Sequence, residues 1–385
     1  MEITQNVFDF INNTEKIGLL TLVNEKLNIN KYPNNKLVFV YSAPKVGSTS
    51  IISSMRIFAL DKISIIHVHD EEMLYTLTNI KGVTINEIIL YNKHLGRDVY
   101  VIDIYREPIE RKISAYFEKI GAYHFNNVDS IVNTYNIHKV INRFNRILPH
   151  LSHGDHFIDK YNINYPKQFD FVNKYLLIEQ NGVKYIKLRL KDSNIWGDIL
   201  TRIFDIKICI VKDYESSNKP IRDLYSNFKA TYRIPTNLLD EIMECKYLNY
   251  YLSPSEKNEY YNKWMQLSCG YFNAFTSDQY FVYNELTIEN CHIDYVQSNH
   301  YMDDGCICKA CVLKRAEIAY KLIQGQPISA SDRIQHDEAK NELLTKQVHR
   351  INRMNTVIQQ LPKPNPKGNR KDFKNAMKQI VNIGH

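Results

Sequence analysis

The chain has 385 residues, 44% hydrophobic and 24% charged, with a formal net charge of +7. That is the balance of a soluble globular protein with room for one large core and an appendage, and no apolar run approaches the ~18 residues a membrane helix needs. From Lys346 onward nine basic residues face only Asp372, so the excess charge belongs to the tail, and a broadly basic main domain is excluded.

The first residues carry an acid at Glu2 and no basic stretch before an apolar core, so no secretory leader is expected. A cytoplasmic, reducing compartment follows from that reading. Residues 1–35 read as a helical lead-in. Apolar β-branched runs then predict strands at Leu37–Tyr41, Ser64–Val68, Val99–Tyr105, Tyr185–Leu190 and Ile206–Val211. Helical patterns separate them at Ser48–Leu60, Glu71–Leu77, Pro108–Ile120 and Trp196–Phe204. Continuous apolar strands alternating with helices predict an α/β fold, a parallel sheet flanked by helices. Residues 122–180, rich in Asn, His and Tyr, read as an insertion beside the site, and the tyrosine-rich stretch Leu238–Leu267 as the closing helical part. The organisation expected is a main domain over 36–275, a cysteine-bearing module over 276–330, and a helical and basic tail over 331–385.

The first strand runs into the turn "APKVGSTS", residues 43–50. A strand, a tight turn and a helix start present backbone N–H groups and the positive end of the helix dipole to an anion. Gly47 permits close approach, Lys45 supplies charge, and Ser48, Thr49 and Ser50 supply hydroxyls, although Ser and Thr at a helix start also serve simply as N-caps. A nucleoside-triphosphate loop places its lysine after the second glycine. Here Lys45 precedes Gly47, and Ser42 stands where the first glycine would be. The second candidate element is "VYVIDIYREPIERKISAYF": Arg106 ends an apolar strand, Pro108 opens a helix, and Ser114 follows Arg106 by eight positions. An arginine fork at a strand end is chemically suited to phosphate.

The order Pro44-Lys45-Val46-Gly47-Ser48-Thr49, joined to Arg106 and Ser114, resembles the two phosphate motifs of the sulfotransferases. The resemblance implies a sulfotransferase fold of the P-loop type and 3′-phosphoadenosine-5′-phosphosulfate (PAPS) as sulfuryl donor. It further implies Lys45, Val46, Gly47, Ser48, Thr49 and Ser50 around the 5′-phosphate, Lys45 neutralising charge on the bridging oxygen, and Arg106 with Ser114 around the 3′-phosphate. "YIKLRLKDSNIW" is weakly similar to a segment of carbohydrate and capsule sulfotransferases, with the acid one place late. The acceptor then expected is a hydroxyl or amine, as on a glycan.

Transfer to a hydroxyl needs a base. His67 and His69 in "SIIHVHDEEML" share one face of an extended segment, and Asp70 could orient one ring or merely cap the next helix. His69 is the preferred base and His67 the alternative, with His94, His124, His153 and His156 as rivals in loops. Further on, Cys306, Cys308 and Cys311, with Cys291, His292 or His300, have ligand types for a structural zinc, which a reducing compartment favours over disulfides. Cys209, Cys245 and Cys269 read as buried core residues. The tail places Leu344, Ile351, Met354, Ile358 and Leu361 at heptad-like positions, consistent with an oligomerisation helix or one packed on its own domain. With only Phe373 among its basic residues, nucleic-acid binding is not expected. Two other function classes compete: a non-catalytic binding protein on the sulfotransferase scaffold, and a P-loop nucleotide kinase, which would need Mg²⁺ ligands.

Overall fold

A computed structural model describes residues 8–29, 35–60, 62–124, 134–211, 221–289, 309–328 and 332. They divide into two compact units that interleave along the chain. One takes residues 8–106, 154–211 and 309–332, the other residues 107–153 and 221–289. The stretch 36–275 therefore contributes to both.

The first unit is built on a five-stranded sheet of β1 (Lys36–Tyr41), β2 (Ser64–Val68), β3 (Asp98–Tyr105), β4 (Tyr175–Gln180) and β5 (Val183–Arg189), in the order β2-β1-β3-β5-β4. β2, β1, β3 and β5 run parallel, and β4 pairs antiparallel with β5 at the edge. The parallel strands are almost wholly buried, as covered faces require. Its described helices include α1 (Thr14–Lys26), α2 (Ser48–Ala59), α3 (Glu71–Thr78), α4 (Ile85–His94), the single turn His156–Asp159, and the helices Trp196–Phe204 and Lys309–Ile323. One sheet face presents Val38, Val40, Ile102, Ile104, Ile186 and Leu188 to Ile51, Ile52 and Met55 of α2 and to Trp196, Ile199 and Leu200. Alternation along the strands turns Asp103 and Lys187 to the opposite face, and α4 lies against β3 and β5.

The segment expected as a strand at Ile206–Val211 is irregular. Its backbone is held by side chains instead: Ile208 N donates to Thr201 Oγ1 at 3.0 Å and Val211 N to Ser54 Oγ at 2.8 Å. β5 already has β3 on one side and β4 on the other, so no strand position beside it remains.

The second unit opens with α5 (Pro108–Glu118), whose Pro108 occupies the first turn where no intrahelical N–H bond is lost. Its core is aromatic and aliphatic, with Tyr116, Phe117, Phe144, Phe228, Tyr232, Trp264 and Tyr283 among its members. The insertion contributes helix Ile137–Ile147, whose Val140, Phe144 and Ile147 are buried at helical spacing. The helical part expected over Leu238–Leu267 consists of three helices, Thr236–Met243, Lys246–Tyr251 and Pro254–Gln266. Ser253 and Glu256 close a capping box that starts the last of them.

Cys209 and Cys245 are half-buried and Cys269 is exposed, which corrects the expectation of three core thiols. None sits in a strand interior or on the buried stripe of a long helix, the positions that would cover it. Cys291, His292, His300, Cys306, Cys308 and the whole heptad and basic tail lie outside the described residues. Cys311 is fully buried on helix Lys309–Ile323, against Ile57, Val211 and Ile318.

Candidate functional site

β1 sits between β2 and β3, and the chain visits them on opposite sides in turn. This is a topological switch point, where parallel sheets open a crevice beyond the carboxyl ends of the strands. The loop after β1 carries residues 42–47 into α2. Its backbone turns through two left-handed residues, Lys45 (φ 68°) and Gly47 (φ 96°). A Cβ on Gly47 would meet Leu190 Cδ1 at 2.9 Å and Trp196 at 3.4 Å, so the loop is pressed onto its own unit where the glycine stands. Lys45, a non-glycine residue, has its carbonyl held by Arg106 Nη1 at 3.0 Å. The arginine at the end of β3 thus braces the loop directly.

No side chain caps the first turn of α2. Its early N–H groups therefore keep the anion-facing character of a helix start. Of the three expected hydroxyls, Ser48 is buried and its Oγ lies 3.2 Å from His67 Nε2. It is drawn back toward β2, while Thr49 and Ser50 are half-buried. Burial, then the neighbouring His69 and Arg56 charges, hold the His67 imidazole well below its ordinary pKa. His67 is thus a neutral partner for a serine hydroxyl.

His69 lies one residue beyond the β2 ladder, with its ring 4.6 Å from that of His67 in an edge arrangement. Its Nδ1 is 2.6 Å from the Ser42 carbonyl oxygen. A carbonyl only accepts, so Nδ1 carries the proton and Nε2 is the basic atom of the neutral ring. The proposed alternative for Asp70 is settled by its geometry: Oδ1 accepts from Met73 N at 2.8 Å as the N-cap of α3, and the carbonyl of Ser42 orients the ring of His69.

A group that sequence reasoning did not assemble lies on the other sheet face. Lys187 Nζ is 2.7 Å from Asp103 Oδ2 and 2.6 Å from Asp155 Oδ2, with all three side chains buried. Asp103 and Lys187 are register partners on β3 and β5. Backbone N–H groups of Ile104 and Phe157 satisfy Asp103, and Ile158 N satisfies Asp155. Burial pushes the Asp155 carboxyl up, against the pull of Lys187. The signal was present as charges of opposite sign inside apolar strands, Asp103 in "VIDIY" and Lys187 in "YIKL".

Among the rivals, His156 is buried and its Nε2 lies 2.5 Å from the His69 carbonyl. Burial lowers its pKa to about 4. His124 and His153 belong to the second unit, where burial lowers them to about 3 and about 4. His94 ends α4. Arg189, in the segment similar to glycan sulfotransferases, is buried with Nε 2.6 Å from Asp192 Oδ2, and its carbonyl accepts from Trp196 Nε1. The Arg189 carbonyl thus holds Trp196, one of the side chains that stands against Gly47. Ser114 is half-buried on α5 of the second unit. Among the described residues, no cluster of His, Cys, Asp and Glu has metal-binding geometry, and no helix is long and apolar enough to cross a membrane.

Comparison of the chain with protein-family models, with curated proteins and with solved structures found no match. What the first unit does show is an α/β fold with a mostly parallel sheet, a strained glycine-containing loop at its switch point, and two histidines at the carboxyl end of the neighbouring strand.

Proposed function

We propose that the chain is a sulfotransferase that uses PAPS and delivers the sulfuryl group to a hydroxyl or amine, as on a glycan. The observation that carries this reading is the brace between Arg106 at the end of β3 and the carbonyl of Lys45, in a loop whose lysine comes before its glycine. Gly47, which has room for no Cβ against Leu190 and Trp196, fixes the tight turn that leads into the amides at the start of α2. In this reading the amides at the start of α2 hold the 5′-phosphate and the Lys45 ammonium neutralises charge on the departing oxygen. His69, with its proton fixed on Nδ1, accepts the acceptor's proton at Nε2. His67 keeps Ser48 in place. Arg106 sets the loop's shape and is the donor-side arginine for the 3′-phosphate. Since Arg189 is committed to Asp192, the glycan as acceptor rests on sequence resemblance.

The test is thermal stabilisation by the desulfated donor, PAP. PAP at saturating concentration raises Tm, Mg-ATP does not, and Arg106→Ala and Lys45→Ala lose the shift. Transfer of labelled sulfate from PAPS to a panel of glycans then identifies the acceptor. Stabilisation by Mg-ATP with no response to PAP would sink the proposal in favour of a nucleotide kinase, and PAP binding without any transfer would favour a binding protein.

A further inference from the structure

One short segment of the insertion, residues 155–161, touches structures at the ends of four parallel strands. Tyr161 OH donates to the Tyr41 carbonyl at the end of β1. His156 Nε2 meets the carbonyl of His69, just past β2. Phe157 N donates to Asp103 on β3, and Asp155 pairs with Lys187 on β5. The helical part is the single turn His156–Asp159. A turn that short does not hold itself, because helix nucleation is unfavourable. It stands here because Asp155 caps it at Ile158 N while the ion cluster pins both Asp155 and Phe157.

The consequence falls on His69. That residue is outside the β2 ladder, so sheet hydrogen bonds do not fix its peptide. Contacts that orient it include its own Nδ1 on the Ser42 carbonyl and its carbonyl under His156. An imidazole in water ordinarily prefers the proton on Nε2, and the hydrogen bond made by one nitrogen decides which tautomer a folded protein keeps. We propose that His156 is a positioning residue: by clamping the His69 carbonyl it holds the ring against Ser42 and so fixes the Nδ1–H tautomer of His69. The clamp needs a donor at the position of His156 Nε2, and the edge contact of its ring with Tyr41 (4.8 Å between centroids) sets that position. The proposal rests on the preceding section only in calling His69 the base; the tautomer itself is a property of the free protein.

The experiment is a long-range ¹H–¹⁵N correlation of ¹⁵N-histidine-labelled full-length protein near pH 7.5 without nucleotide, with the His69 signals assigned by their loss in His69→Gln. Wild type shows the Nδ1–H pattern for His69. His156→Gln, whose amide supplies a donor, keeps it. His156→Leu, which fills the space without a donor, loses it in favour of Nε2–H while circular dichroism stays native. Wild-type protein with His69 in the Nε2–H form overturns the proposal before any His156 variant is made. So does a folded His156→Leu protein that keeps Nδ1–H, or a His156→Gln protein that loses it. Because no nucleotide is present, a negative PAP melting experiment leaves this result untouched, and the converse also holds.

Discussion

Each of the two units buries a lysine, and they solve the problem differently. In the first, Lys187 sits between Asp103 and Asp155, so its charge is matched inside the protein. In the second, Lys112 Nζ donates to the carbonyls of Leu148 and Pro149 at 2.8 and 3.3 Å, and burial lowers its pKa to about 8. Carbonyls satisfy the donors without cancelling the charge. The histidines divide in the same way. His124, in the aromatic core, meets the Tyr116 hydroxyl at 2.7 Å, whereas His156 reaches the backbone of another histidine at a strand end. Burial lowers both. A depressed pKa is therefore common to packing and to function. What separates the first unit is that His156 and His69 meet just past the end of β2, with His69 on the Ser42 carbonyl of the loop that leads into an uncapped helix start.

The comparison breaks most readily at the lysines. Lys187→Met leaves two buried carboxylates without a cation and is expected to cost about 3–5 kcal/mol in urea unfolding at pH 7. Lys112→Met leaves only carbonyls short of a donor and is expected to cost about 1–3 kcal/mol. Equal losses would show that Lys187 is no more than a donor to its neighbours. The raised Asp155 carboxyl adds a sign: its protonated form is favoured by the fold, so its contribution is greatest at low pH and is lost as pH rises through the folded pKa. The Lys187→Met deficit should accordingly shrink on acidification from pH 7 to pH 5.

Gly47→Ala sharpens the contrast from the loop side. A left-handed φ and a Cβ at 2.9 Å from Leu190 together are expected to cost about 2–4 kcal/mol. In a denaturant titration, a loss below about 1 kcal/mol would mean that the loop relaxes and is not a formed cradle.

The smallest effect is a slope. His124 is lowered to about 3, so as pH falls from about 6.5 the unfolded chain takes up a proton that the folded one refuses, and stability is lost. His124→Gln carries no titrating ring there. Its stability should fall less steeply between pH 6.5 and 4, though not vanish as a slope, because His153 and His156 retain theirs. Melting curves across that range decide it.

Much of the first unit was legible because its parallel strands are continuous apolar runs: Ser64–Val68 and the helix Trp196–Phe204 fall where their patterns put them. β4 was not, since its outer face is half-exposed and its run ends in Glu179 and Gln180. Helix α4 was also passed over, although Thr84 and Glu87 form a capping box readable three residues apart. In the site, Lys45, Gly47 and Arg106 were legible as a motif, and the structure brings them together. The ties of His69 were not. They run to main-chain atoms of Ser42 and from His156, and a backbone carbonyl leaves no mark in a residue pattern.

The tight connection between β4 and β5 gives the sheet a direction of assembly. Asn181 and Gly182, both left-handed (φ 55° and 73°), close a two-residue hairpin that brings Gln180 beside Val183. Such a pair forms in microseconds from neighbours in the chain, whereas aligning Lys36 with Asp98 must first close a loop of about sixty residues. The antiparallel edge is therefore the pairing in this sheet with a far smaller loop-closure cost than β1 with β3, and it sets Lys187 in extended backbone opposite its register partner Asp103.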